Sequence, residues 1–297
     1  MDPLLPFQVP FLQKAFLAAV LIAPPAALLS CFMVLKGWSL MGDAISHATL
    51  PGIVIAYVMG LPLTIGAFAA GMGCALAVGF IGDNSRVKRD TVMGVVFSGM
   101  FGLGIVLYAW AESEIHLDHI LFGNMLGLGA GDLWTAGLAG LAVCLFILPR
   151  WRDLMLHAFD PVQASAIGLP VLLLHYGLLT AISLMIVATL TAVGLILAIG
   201  LMILPGAIAF LLVRQFRQML AVAVAVTLLA TTGGVYLSVM LDSAPAPTVI
   251  LVLSAMFLAA MLHQRIRKPA TQRRPVAPPL ARAPVGAPVN GNPATPE

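Results

Sequence analysis

The chain is 297 residues long, 61% hydrophobic and 9% charged, with a formal net charge of +3. Soluble domains carry roughly 25% charged residues, so this composition excludes a water-soluble fold. The unit to count is the bilayer-spanning segment of about 20 apolar residues, and the chain has room for eight to ten.

Apolar runs fall near residues 11–34, 38–60, 61–82, 91–110, 133–149, 171–193, 194–213, 218–240 and 246–263, which gives nine candidate spans. The pair meeting at Thr191 and Gly194 reads either as two spans or as one span with a re-entrant piece, which would leave eight. The expected fold is therefore an all-α integral membrane bundle of eight to nine helices. The first run is long, has no basic region before it and shows no clear cleavage site, so it is expected to stay in the membrane.

Nine spans also place the basic residues on one side. Lys36, then Arg86, Lys88 and Arg89, then Arg150 and Arg152, then Arg214 and Arg217, then the tail from Arg265 all fall in loops of the same side, and only Lys14 falls elsewhere. Short cytoplasmic loops gather Lys and Arg. The N-terminus is thus expected outside and the C-terminus inside, with residues 1–10 extracytoplasmic, 11–263 the transmembrane domain, and 264–297 a basic Pro/Ala-rich cytoplasmic tail. That tail has no apolar periodicity and is expected to be disordered. Its basic start is either a contact for anionic lipid headgroups or an ordinary stop-transfer flank. No interleaving of basic and aromatic residues argues for nucleic-acid binding.

Asp43 is the one Asp or Glu that falls inside an expected span, roughly 10 Å in at about 1.5 Å per residue from Lys36. A carboxylate at that depth costs several kcal/mol unless it meets an aqueous path, a partner or an ion. His47 follows four residues later on the same helix face. The run Gly42 to Gly52 adds small residues at 42, 44, 46 and 48, which permit close helix approach, and Pro51, which has no N–H to offer the carbonyl of His47. A carboxylate with an imidazole suits Mn, Fe or Zn dications, whereas the absence of thiolate in the motif argues against Cu(I). Two ligands are too few for such an ion. Two copies of the helix meeting at a two-fold axis would supply four. The alternative is that Asp43 and His47 only satisfy each other or a neighbouring helix.

Other polar groups are less marked. Glu112, Glu114, His116, Asp118 and His119 fall in an outer loop, which is either a cation-concentrating mouth or an ordinary solvated loop; Asp242 is a similar outer acid. His175, alone in a span, reads as hydrogen-bonded packing, and His157 and His263 on the inner side are given no role in metal binding. Cys31, Cys74 and Cys144 sit in apolar runs without metal-like spacing and read as packing residues. The sequence has no Gly-x-x-x-x-Gly-Lys-Ser/Thr loop, no His-Glu-x-x-His and no Gly-x-Ser-x-Gly elbow, so the chain itself is not expected to hydrolyse ATP.

With these residues located, the chain resembles the zinc/manganese/iron permease family of bacterial ABC importers. Four stretches carry the resemblance: Gly42 to Gly52, Leu117 to Asn124, Ala158 to Pro170, and Ala192-Val193-Gly194-Leu195 through Leu204-Pro205-Gly206-Ala207. It spans about residues 11 to 263. The resemblance implies the membrane subunit of an ATP-driven importer in the bacterial cytoplasmic membrane, as a homodimer or paired with a related permease. It implies cytoplasmic ATPase subunits, an extracytoplasmic metal-binding protein, and no permanently bound cofactor beyond the transported ion. Asp43 and His47 match the family residues that line the ion path. Asp118 and His119, expected with Asp242 at the outer mouth, fall in one of these stretches, whereas Ser243-Ala244-Pro245-Ala246-Pro247 departs from the family's Pro-Ser-Gly-Pro after Asp242, so the resemblance carries no role over to that residue. Residues 153–169 match the helix that couples to the ATPase, with Asp160, Pro161, Ala164 and Gly168 as its marked positions. The rival reading is a proton-coupled secondary metal transporter, and a third is a membrane scaffold without transport, which leaves Asp43 unexplained.

Overall fold

The computed structural model describes residues 10–111 and 129–267. Within them the chain forms helices α1 (Pro10–Lys36), α2 (Met41–Val58), α3 (Leu63–Asn84), α4 (Arg89–Trp110), α5 (Ala130–Phe159), α6 (Pro161–Ala166), α7 (Val171–Val193), α8 (Leu195–Leu212), α9 (Phe216–Met240) and α10 (Pro245–Arg267). Among the described residues eight helices are long and apolar enough to cross a membrane. The remaining long helix is α2, whose Asp43 and His47 dilute its hydropathy. Thirteen of its 18 residues are nevertheless buried. A polar helix at that position is held by protein on most sides, which is where hydrocarbon tolerates one.

The most buried of the spans is α1 and the least buried is α4. α1 is the central post: it packs on α5, α7, α8 and α9, and its inward residues, from Ala15 through Ile22 and Leu29 to Phe32 and Met33, form the heart of the apolar core. α2, α3 and α4 form a second group, joined to the first where α2 meets α7 and α8 and where α3 meets α7. Lipid offers no hydrophobic drive between helices, so close van der Waals approach and interhelical hydrogen bonds hold such a bundle. Two crossings show this. Gly52 of α2 meets Gly66 of α3 backbone to backbone, with Ala56 and Ala70 flanking. At the other, Ser30 Oγ of α1 accepts from the Gly206 N–H (2.8 Å) and donates to the Ile203 carbonyl (3.1 Å) of α8, spanning the backbone around Pro205.

The break between α7 and α8 lies at Gly194, with φ 88° and ψ 168°, a conformation open essentially to glycine alone. The two segments meeting there are two helices of 23 and 18 residues, each apolar and long enough to cross. One boundary differs from expectation. The fifth span was expected to end at 149, before Arg150 and Arg152, yet α5 runs through Pro149 to Phe159. Leu154 is fully buried and Trp151 sits against Phe216 with ring centroids 6.3 Å apart, so an apolar stripe carries the helix past its charges. It stops where Asp160 leaves the helical conformation. Similarly, α10 continues to Arg267, past the expected limit at 263.

Candidate functional site

α2 starts later than the hydropathy suggests. Gly37 to Leu40 form a turn in which the Trp38 N–H donates to the Met33 carbonyl (2.8 Å), and Trp38 is 3% exposed. The first turn of α2 then carries Asp43, where a carboxylate is favoured by the positive end of the helix dipole. This turn is folded into the bundle, so Asp43 is deeper than its distance along the chain implies. Cys74 Sγ, at position 12 of the 22 in α3, donates to the Ala44 carbonyl (3.7 Å). The His47 ring lies 5.2 Å from Phe97 and 5.1 Å from Phe101, at positions 9 and 13 of the 22 in α4. Gly42 faces Met202, near the middle of α8. Three independent neighbours therefore set Asp43 and His47 at mid-height of the bundle.

His47 Nε2 stands 3.3 Å from Asp43 Oδ1, and the two side chains are 22% and 36% exposed. The other polar side chains of this stretch are turned onto their own helix: Ser46 Oγ donates to the Gly42 carbonyl (2.7 Å) and Thr49 Oγ1 to the Ser46 carbonyl (2.6 Å). Only Asp43 and His47 present polar atoms away from it. Their closeness is what mutual satisfaction requires, but it does not account for the whole imidazole, because His47 Nδ1 is buried without a hydrogen-bond partner. A buried polar atom left unpaired carries a penalty of about 1–3 kcal/mol. α2 stays helical across Pro51, whose missing N–H leaves the His47 carbonyl without its usual helical donor.

Among the described residues no three or more His, Cys, Asp or Glu side chains gather as a metal site. Asp43 and His47 remain a two-ligand group within one chain's described residues. Glu112, Glu114, His116, Asp118 and His119 lie outside the described residues. Asp242 sits in the turn between α9 and α10 with φ 50°, a left-handed position that Asp tolerates through its short side chain. It is at the end of the bundle opposite Lys36, separate from Asp43.

The coupling positions form one compact feature. Asp160 Oδ1 accepts from the N–H groups of Val162 (3.0 Å) and Gln163 (2.9 Å), capping α6, and Pro161 occupies its first turn. Ala164 is fully buried, and Gly168 ends the segment at φ 84°. Phe159, Val162 and Ile167 project from it, 67%, 78% and 62% exposed, an apolar surface on a rigid, capped knob. Sequence reasoning missed two features. One is the Phe97–Phe101 pair that grips His47, visible in the chain only as an i, i+4 spacing. The other is the meeting of Lys36, His157 and His175 near α6, contributed by three separate helices.

A family profile described as the ABC 3 transport family matches residues 8–264. The chain is 50% identical over 270 residues to the chelated iron transport system membrane protein YfeD of Yersinia pestis, covering 91% of this chain and 90% of that protein. It is 42% identical over 257 residues to the manganese transport system membrane protein MntB of Synechocystis, covering 86% and 84%. Its fold is similar to a chain of PsaBC from Streptococcus pneumoniae solved in complex with Fab, with TM-score 0.78 and 32% identity over 90% of this chain and 98% of that one.

Proposed function

This chain belongs to the ABC 3 transport family, and from that premise we propose that it is the membrane-spanning permease of an ATP-driven importer of divalent transition-metal ions. Relatives named for iron and for manganese transport support the cargo class, and zinc fits the same pair of oxygen and nitrogen donors. The observation that carries the reading is the Asp43–His47 pair at mid-height of a bundle whose other described polar side chains are mostly turned onto backbone.

The end holding Lys36, Arg150, Arg152 and α6 is cytoplasmic under the positive-inside rule, which leaves the N-terminus outside and the permease in the bacterial cytoplasmic membrane. The capped α6 knob with exposed Phe159, Val162 and Ile167 supports docking on a cytoplasmic ATPase subunit. A binding protein delivers the ion at the other end, where Asp118, His119 and Asp242 would form the mouth. Two chains, each contributing Asp43 and His47, assemble the four ligands and two negative charges that a dication requires. ATP binding then drives the exchange between outward- and inward-open states by favouring one of them.

Asp43→Asn, isosteric but uncharged, is expected to abolish metal uptake into proteoliposomes while the ATPase still co-purifies. Uptake at the wild-type rate would overturn the pathway. ATP depletion with the proton gradient held constant separates this mechanism from a gradient-driven carrier, which would continue to accumulate metal.

A further inference from the structure

Trp151 of α5 and Phe216 of α9 meet with ring centroids 6.3 Å apart, and Phe216 also packs edge-on against the buried Phe32 of α1 (5.1 Å). This contact brings two arginine pairs to one place. Arg150 and Arg152 flank Trp151, Arg214 and Arg217 lie either side of Phe216, and all four are exposed. The Arg150 guanidinium lies over the Phe146 ring (5.8 Å) and that of Arg152 over the Trp151 ring (5.2 Å). Stacking of this kind orients a guanidinium but leaves its charge uncompensated and its N–H fork available.

Among the described residues no carboxylate pairs with these arginines. Asp153 follows Arg152 but, at about 100° per residue, projects about 200° away from Trp151 around α5. Asp160 is committed to the cap of α6. Asp83 and Asp90 belong to α3 and α4, which pack on each other, on α2 and on α7 rather than on α5 or α9.

Depth identifies the partner. Arg150 stands twenty residues after Ala130, about 30 Å along α5, which is the thickness of the hydrocarbon layer. The arginines therefore sit at headgroup level, whereas the α6 knob begins nine residues, about 14 Å, further on. Leu141, Leu145 and Leu148, 58%, 65% and 56% exposed, share the helix face of Arg152 and run from it into the membrane. They form an apolar track that ends in a cation. We propose that this face binds an anionic phospholipid of the inner leaflet, its phosphate held by the arginines and an acyl chain laid along the α5 leucines. Guanidinium forks match phosphate oxygens bidentately, and a phosphate between the two pairs ties α5, the shaft that carries α6, to the start of α9. The site is independent of the metal pair; only the leaflet rests on the orientation proposed above.

The test uses the full permease purified with its ATPase partner in neutral detergent, where binding does not depend on orientation. Native mass spectrometry titrates phosphatidylglycerol and, for comparison, zwitterionic phosphatidylcholine. Wild type is expected to bind phosphatidylglycerol saturably and in preference to phosphatidylcholine. Arg152→Gln combined with Arg217→Gln should weaken phosphatidylglycerol binding roughly tenfold or more, since one basic residue near an anionic surface contributes about fivefold, and should leave phosphatidylcholine binding unchanged. Arg152→Lys with Arg217→Lys should keep the preference. Arg86→Gln with Lys88→Gln removes the same charge at the same end, in the exposed loop between α3 and α4, and should bind as wild type does. If the Arg152 and Arg217 double variant fails to assemble, the two single Gln variants are titrated instead, each expected to lose about fivefold. No preference in wild type, or equal weakening by the two charge-removing pairs, overturns the proposal. So does unchanged lipid binding with loss of the ATPase during purification, which would assign the face to the ATPase.

Discussion

Gly52 of α2 and Gly66 of α3 face each other so closely that a methyl group on either would fall on the carbonyl oxygen of the other. This crossing fixes α2 against α3 about one turn beyond His47, so the position of the Asp43–His47 pair depends on two residues that have no side chain. Gly52→Ala or Gly66→Ala must push the helices apart, and forced overpacking costs about 1–3 kcal/mol. Thermal unfolding of the detergent-solubilised complex should show a lowered midpoint for both. Gly73→Ala on the same α3, with open space around it, should leave the midpoint unchanged.

The Ser30 hydroxyl and Gly206 offer a second test, this time of non-additivity. Ser30→Ala removes two interhelical hydrogen bonds and is expected to cost about 1–2 kcal/mol. Gly206→Ala should cost more, because its methyl group would lie 2.5 Å from the Ser30 carbonyl oxygen. Displacing α8 already breaks the Ser30 bonds. The double variant should therefore be less destabilised than the sum of the two singles, and strict additivity would show that the two residues do not act as one contact.

Asp160→Ala removes the cap of α6, worth about 1 kcal/mol locally, without touching the bundle core. Its effect should appear in coupling: ATPase stimulation by transport falls while the unfolding midpoint of the permease hardly moves. Gly168→Val, placed at φ 84°, should act in the same direction through backbone strain of about 1–2 kcal/mol.

Phe97→Ala and Phe101→Ala loosen the grip on the His47 ring without removing a ligand. Each is expected to raise the metal concentration needed for half-maximal uptake several-fold, whereas His47→Phe should eliminate uptake. Equal losses in all three would mean that the aromatic pair supports the helix rather than the imidazole.

The helices were legible in the chain because apolar runs end at charges and glycines: Gly194 divides α7 from α8, and α2 is marked by the Asp43 and His47 that interrupt it. The depth of the pair was legible only in direction. Counting from Lys36 assumes a straight chain, whereas the turn at Gly37 to Leu40 tucks Trp38 inside and starts α2 in the middle of the bundle. The end of α5 was misplaced because Arg150 and Arg152 look like a loop. The buried Leu154 and the cap at Asp160, not charge, decide where that helix stops. His157 and His175, read separately as a cytoplasmic residue and a packing residue, acquire a common setting only when Lys36 is brought to them from 121 positions away.

The central claim is that the imported ion passes the Asp43–His47 pair. The most direct measurement is metal-stimulated ATP hydrolysis by the reconstituted complex with its binding protein, tested with manganese, iron and zinc in turn, in wild type and in Asp43→Asn. At least one metal should stimulate the wild type and none should stimulate the variant. Equal stimulation of both would contradict the claim.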